Sequence, residues 1–156
     1  MEISLQKANL DDCAGIHALQ VEVFTELLEK YHDTASNPGA EPLERIVQRM
    51  EQPFTDYYWI RLNGRNIGAI RVARDSAESC RIAPVFVLPA YQNKGYAQQA
   101  IRLAEALYPK AVVWKLDTIL QEKKLCYLYE KLGYRQTGER HELQPDMTIV
   151  FYEKRV

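Results

Sequence analysis

Thirteen consecutive residues, Val85-Phe86-Val87-Leu88-Pro89-Ala90-Tyr91-Gln92-Asn93-Lys94-Gly95-Tyr96-Ala97, have the types and order of an anion-binding turn. A β-branched and aromatic run stops at Pro89 and passes through a short polar turn. It then opens into Gln98-Gln99-Ala100-Ile101-Arg102-Leu103-Ala104-Glu105-Ala106-Leu107, which has helical composition. A strand, a glycine-bearing turn and a helix N-terminus together leave backbone N–H groups facing outward without partners. Those donors and the positive end of the helix dipole converge on one place, which suits phosphate. Gly95 admits a diphosphate close to the backbone, and the small Ala97 keeps the first turn open. Lys94 and the amide of Gln92 can add side-chain donors. The plain alternative is an ordinary strand-to-helix connection in which Gly95 only relieves a tight turn.

The spacing narrows the chemistry. A dinucleotide fingerprint needs an earlier glycine pair and a P-loop needs Gly-Lys-Ser/Thr, whereas Gly95 is followed by Tyr96. Gln92-x-x-Gly95-x-Ala97, following Val87-x-Pro89, instead resembles the acetyl-CoA motif of the GNAT superfamily of N-acyltransferases, Arg/Gln-x-x-Gly-x-Gly/Ala. The resemblance implies acetyl-CoA as co-substrate, bound by Gln92, Asn93, Lys94, Gly95, Tyr96, Ala97 and Gln98. It also implies that backbone N–H groups of Val85, Phe86 and Val87 polarise the thioester carbonyl; as side chains these three read as core strand.

Acyl transfer to an amine further requires that an ammonium lose a proton and that the leaving thiolate regain one. Leu128-Tyr129-Glu130-Lys131-Leu132-Gly133-Tyr134 looks like the family signature Leu-Tyr-x-x-x-Gly-Phe/Tyr, which implies Tyr129 as the proton donor near the sulfur. Its bland reading is a core tyrosine beside Leu125 and Leu132. Asp117, following Val113-Trp114-Lys115-Leu116, occupies the position where some protein-acetylating relatives carry a glutamate base. A carboxylate there helps only if burial raises its pKa or water relays the proton. The rival reading makes Asp117 or Thr118 the cap of the next helix, Thr118-x-x-Gln121 having the form of a capping box. Many relatives place an asparagine seven positions before the helix tyrosine. Here that position is Glu122, beside Gln121, so either of the two is a candidate for the pantetheine amide.

These groups need a scaffold. Ile3 and Leu5 alternate with polar neighbours within Met1-Glu2-Ile3-Ser4-Leu5-Gln6-Lys7 and predict a first strand, not a signal peptide. Asp11 or Asp12 can cap a helix carrying Ile16, Leu19, Val23 and Leu27 to about Lys30. A polar stretch with Asn37-Pro38-Gly39 precedes a second helix, in which Pro42 fits the first turn and Leu43, Ile46, Val47 and Met50 share a face. Aromatic and branched runs around Asn63-Gly64 predict a hairpin, and residues 74–79 a polar turn. Residues 80–88 predict the strand into the motif, and residues 111–116 a strand buried on both faces. A helix ended by Gly133 and two last strands complete an order β-α-α-β-β-β-α-β-α-β-β. The fold class is therefore α/β (α+β): one domain over residues 1–156, with a mixed, twisted, mostly antiparallel sheet and helices on both faces. The resemblance extends over essentially the whole chain. It implies that the strands carrying Val85–Val87 and residues 112–116 splay apart around the pantetheine arm.

Composition bounds the partners. A net charge of -1 across 156 residues gives no support for non-specific nucleic-acid binding, which needs a basic face, and no apolar run is long enough to span a bilayer. Three scattered cysteines, Cys13, Cys80 and Cys126, suit reduced thiols in a cytoplasmic protein. His17, His32 and His141 lack metal-ligand spacing, so no metal is expected. Tyr57, Tyr58 and Trp59 could line a cleft but fit a core strand. Glu22, Glu26, Glu29 and Lys30 read as a solvated helix face, although the resemblance places the N-terminal helices beside the acceptor, where acidic residues would suit a cationic amine. The expectation is an acyl-CoA-dependent N-acetyltransferase acting by direct attack of a primary amine, most simply of a small molecule. A protein or peptide amine and a non-enzymatic acyl-CoA-binding module are the alternatives, and a free β-edge left by the last strands could pair in a homodimer.

Overall fold

A computed structural model describes residues 2–156, so of the first expected strand only Met1 lies outside the described residues. The elements are β1 (Ile3–Lys7), α1 (Cys13–Tyr31), α2 (Leu43–Glu51), β2 (Thr55–Leu62), β3 (Arg65–Ser76) and β4 (Ser79–Val87). They continue as α3 (Tyr96–Leu107), β5 (Val113–Ile119), α4 (Lys123–Lys131), β6 (Arg135–Gln144) and β7 (Met147–Arg155), in the expected order. The strands form one sheet ordered β1-β2-β3-β4-β5-β7-β6. Every neighbouring pair is antiparallel except β4 with β5. Among the described residues, no helix is long and apolar enough to cross a membrane.

Local sequence explains most of these boundaries. Asn63 and Gly64, with φ of 51° and 78°, supply the two left-handed residues of the tight β2–β3 turn. The cap at the start of α1 is Asn9, not Asp11 or Asp12. The Asn9 side chain accepts from the Asp11 N–H at 3.0 Å, and Asp12 returns the bond to the Asn9 N–H at 2.9 Å. This box closes a short 3-10 turn, Leu10–Asp12, that runs into α1. At the end of α4, Gly133 takes φ 99° and lets the Tyr134 N–H reach the Tyr129 carbonyl at 3.1 Å.

Alternation along the central strands divides the core in two. Tyr57, Trp59, Ala69 and Phe86 pack with Ile16 and Ile46 under α1 and α2. Ile60, Ile70, Val72 and Val87 face Ala100, Ile101 and Ala104 of α3 together with Tyr129 of α4. Ile16 and Ile46 are fully buried, and each such side chain stabilises the fold by ~2 kcal/mol through apolar area removed from water. Tyr57 and Trp59 are thus core, and Tyr58 lies on the other face, hydrogen-bonded to the Tyr108 hydroxyl at 2.8 Å.

The sheet is not continuous across its middle. β4 and β5 pair only at Ser79–Val113, Cys80–Trp114 and Arg81–Lys115. Beyond Arg81 they separate. Two residues of β4, Ala83 and Pro84, stand against the single Arg71 of β3, because the register moves from Val72–Ile82 to Ile70–Val85. Pro84 has no N–H to give to a ladder, which suits it to this bulge. β5 runs on beside β7 as far as Ile119–Ile149. It therefore begins two residues later than expected and ends three later. It is not buried on both faces, since Lys115 is half-buried and Asp117 exposed where β5 borders the gap. Likewise β3 extends to Ser76, shortening the expected polar turn.

Candidate functional site

The motif turn leaves β4 through a 3-10 turn at Pro89–Tyr91 and enters α3 at Gly95. Asn93 and Gly95 both adopt left-handed backbone, with φ of 62° and 83°. The first amide of α3 to find a partner is that of Gln99, which bonds the Gly95 carbonyl at 3.0 Å. The six amides before it, residues 93–98, have no hydrogen-bond partner among the described residues. A Cβ added at Gly95 would meet nothing within 4 Å, so the approach to these donors is open. Lys94 is exposed beside them. Such a cradle fits a diphosphate. Gln92 differs from expectation: its Nε2 donates to the Val87 carbonyl at 2.9 Å, so at least one amide hydrogen ties the turn to β4.

The same ladder logic sorts the three residues of β4. The Leu88 N–H donates to the Ile67 carbonyl at 2.7 Å. In an antiparallel ladder the direction alternates, so the Phe86 N–H also turns toward β3, while those of Val85 and Val87 face the gap. Phe86 is therefore no donor to a ligand there. Its ring is buried instead, edge-on to Phe24 with centroids 5.7 Å apart.

The gap opens into a recess of about 450 Å³. Its lining comes from Phe24 of α1, the loop after α1, Arg49 of α2, Arg71 of β3, Val85, Asp117, Tyr129 and the β6–β7 hairpin. A depression of about 550 Å³ beside Lys7, Met50 and Tyr57 holds none of the expected site residues. Tyr129 is buried, packed against Tyr134 and Tyr152 at centroid separations of 6.5 and 6.2 Å. Its hydroxyl has no hydrogen-bond partner among the described residues. Burial pushes its pKa well up, and the nearby Asp117 charge adds to the effect.

Asp117 is not a helix cap. It and Thr118 lie within β5, α4 begins at Lys123, and Glu122 stands at the cap position without a side-chain capping bond. The Asp117 side chain is 40% exposed, with the Arg81 guanidinium 3.8 Å away. That exposure is into the recess, whose walls crowd the carboxyl. Burial raises its pKa, with Arg81 pulling the other way. Neither pantetheine candidate is free. Glu122 accepts from Lys30 at 2.7 Å and from the Tyr31 hydroxyl, and Gln121 Oε1 accepts from the Thr148 N–H at 3.0 Å. Glu22, Glu26 and Glu29 face solvent outside the recess.

The charged wall of the recess comes from residues the sequence did not single out. Arg49 grips Glu41 through two bonds of 2.9 and 2.7 Å, and Arg71 donates to the Ala83 carbonyl and to Thr55 Oγ1 at 3.3 Å. The loop carrying Glu41 is held by the fully buried Gln20, whose Nε2 donates to the Pro38 carbonyl and to Glu41 Oε1, both at 2.8 Å. Gln20→Leu is expected to cost about 2 kcal/mol, since one bond goes to a charged group and both acceptors lose their donor. Chemical denaturation measures that loss, and amide exchange in residues 33–41 should accelerate selectively. An unchanged exchange rate would mean the loop is held elsewhere.

With this geometry in view, the profile of the acetyltransferase (GNAT) family matches residues 21–134. No curated protein gives a significant match. Among solved structures, the ribosomal-protein-S18-alanine N-acetyltransferase of Escherichia coli superposes with a TM-score of 0.80 at 11% identity, covering 99% of this chain and 94% of its own. A spermidine N-acetyltransferase chimera from Vibrio cholerae and hSSAT gives 0.75 at 15%, covering 99% and 96%. A GNAT family acetyltransferase from Elizabethkingia anophelis with acetyl-CoA bound gives 0.68 at 17%, covering 99% and 98%.

Proposed function

From the premise that the chain belongs to the GNAT family and is an acyl-CoA-dependent acetyltransferase, we propose that it acetylates a primary amine of a small molecule by direct attack in a ternary complex. One observation carries this reading: where β4 and β5 separate beyond Arg81, Val85, Asp117 and Tyr129 line one recess, and β4 runs on from it into the turn with the open amides. Acetyl-CoA, when bound, supplies an activated acyl group. In this reading residues 93–98 hold its diphosphate and the Val85 and Val87 amides stabilise charge developing on the carbonyl oxygen. Asp117 takes a proton from the amine directly or through water, and Tyr129 gives one to the departing sulfur. The walls contributed by α1, its following loop, α2 and the β6–β7 hairpin favour a small acceptor, as spermidine is for the chimeric neighbour. A peptide amine is the second reading, favoured by the exposed Leu143 at the rim and by the E. coli neighbour. A reducing, cytoplasmic setting belongs to the proposal and is supported by three buried free thiols.

The test is free-thiol release from acetyl-CoA across an amine panel, with thermal denaturation as a binding control. A ligand at 100 times its Kd stabilises by ~2.7 kcal/mol, roughly 5–10 °C in a chain of this size. Absence of any shift at millimolar acetyl-CoA would overturn the proposal.

Asp117 makes a signed prediction. A base acts only when ionised, so its raised pKa moves the acid limb of kcat/KM above the ordinary carboxylate range. Asp117→Asn should flatten that limb and lower the neutral-pH rate about 100-fold. Its effect on stability has the opposite sign. The folded state holds this proton more tightly than the unfolded chain, so the carboxyl subtracts stability as pH climbs from its unfolded pKa, about 4, through the raised folded value. Above that window the asparagine variant should be at least as stable as wild type. A variant that is both active and destabilised would remove Asp117 from the mechanism.

A further inference from the structure

Arg71 is an inward-facing cation with no direct ion-pair partner among the described residues, Glu41 being committed to Arg49. Alternation puts it on the same face of β3 as Ala69 and Ala73, which are 1% and 8% exposed. It is half-buried there and lines the recess that also holds Asp117 and Tyr129. Its neighbours are supplied: Arg49 has Glu41 at 2.7 Å and Arg81 has Asp117 at 3.8 Å. Among the described residues no carboxylate pairs with Arg71. Its Nε is spent on the Ala83 carbonyl and its Nη1 reaches Thr55 Oγ1 at 3.3 Å, leaving Nη2 without an acceptor. Burial and the charge of Arg49 lower its pKa, and Tyr57 and Glu41 only partly offset them. A guanidinium stays charged at any working pH, so this arrangement costs stability until an anion arrives.

Resting on the acetyltransferase reading above, we propose that Arg71 receives the carboxylate of the acceptor, so that the substrate is a small amino acid whose amine is acetylated. Charge selects this class from the other small amines. A polyamine would bring further positive charge against Arg71. A phosphate dianion would bring a second negative charge into a recess that Asp33, Glu41 and Asp117 already line, with no ammonium-sized charge left over to balance it. A zwitterion places its carboxylate on Arg71 and its ammonium toward Asp117. The donation from Nε to Ala83 fixes the guanidinium at the β4 bulge, next to Val85, so recognition and the proposed oxyanion donors share one strand junction.

The experiment measures thiol release at saturating acetyl-CoA with α- and ω-amino acids of two to six carbons. Each is paired with the amine lacking the carboxylate and with the matching aminoalkylphosphonate. At least one amino acid should exceed its decarboxylated partner about 30-fold in kcat/KM, as a charge-assisted hydrogen bond contributes. Arg71→Gln should collapse that ratio toward one through the KM for the amine, leaving the KM for acetyl-CoA unchanged, and Arg71→Lys should recover part of it. A second readout needs no turnover: calorimetry of N-acetyl amino acids and their carboxamides binding to the CoA complex, where only the acids should lose affinity in Arg71→Gln. Equal rates within the pairs, an equal loss for both partners in the variant, or a preference for phosphonates overturns the carboxylate assignment while leaving acetyl transfer standing. If acetyl-CoA binds but no amine reacts, acids binding no better than carboxamides overturns it as well. Failure of acetyl-CoA to bind at all overturns the acetyltransferase reading itself.

Discussion

Tyr129→Phe is expected to lower kcat by about 100-fold while leaving the fold and the KM for acetyl-CoA in place. The substitution removes one oxygen, and that oxygen has no hydrogen-bond partner among the described residues. The ring keeps its contacts with Tyr134 and Tyr152, so stability should stay within about 0.5 kcal/mol of wild type. This separates chemistry from packing, which most core substitutions cannot do. The raised pKa of Tyr129 keeps the hydroxyl protonated throughout the working range, the state required of a donor. Full transfer from such a phenol to a thiolate with a pKa of about 8.5 is uphill, so the proton is shared through a preorganised hydrogen bond as the sulfur departs, a bond that water in the gap offers only without preorganisation. Stopped-flow thiol release with equal thermal denaturation curves is the measurement. A kcat within twofold of wild type would take Tyr129 out of the mechanism and return it to the core.

Gly68→Ala is expected to damage both stability and turnover. A Cβ at this position would lie 2.0 Å from the Phe86 carbonyl oxygen and 2.9 Å from the Val87 Cα. These are backbone atoms of β4, so no side chain can swing aside and the strand itself must move. Overpacking of this kind costs about 3 kcal/mol, roughly 6–12 °C of thermal stability for a chain of this length. The displaced segment carries the Val85 and Val87 amides, and an error of about 1 Å in a reacting geometry costs on the order of 100-fold in rate. Gly138→Ala is the comparison. Gly138 has φ 97° with nothing within 4 Å of a new Cβ, so the cost there is backbone strain of about 1 kcal/mol, and activity should persist. If Gly68→Ala lost stability but kept full turnover, β4 would not be the strand that holds the reacting carbonyl.

Where local chemistry decides, the sequence was readable. Asn63-Gly64 turned the chain, Gly133 capped α4, and alternation divided Trp59 from Ile60 and Phe86 from Val87 between the two cores. Where a distant partner competes with a local one, it was not. Thr118 and Gln121 have the form of a capping box, but Asp117, Thr118 and Ile119 pair with Phe151, Val150 and Ile149 of β7, and Gln121 caps the Thr148 amide instead. A ladder with buried neighbours outweighs one side-chain cap. The start of α1 differs for a local reason: the extra 3-10 turn moves the cap back to Asn9, and Asp12 closes the box from its third position. Arg71 carries no local mark of its role, because arginine in a strand usually faces solvent. The available signal was its parity with Ala69 and Ala73, which commits a charged side chain to the inward face. The Arg49–Glu41 pair had no such signal, because a loop of irregular backbone sets its geometry.

Only three register pairs fasten β4 to β5, so the backbone ladder of the central sheet is two leaves sewn together along one short seam. One leaf is β1 through β4 and the other is β5, β7 and β6. Main-chain donors at Val85 and Val87 stay without a ladder partner in the middle of the protein because β5 has left β4 before it reaches them. A strand-like ligand lying in the opening would act as a missing stitch, giving those amides acceptors and coupling the leaves along their whole length. Hydrogen exchange at Val85 and Val87 is then a direct gauge of closure, fast in the free protein and slowed when the seam is completed.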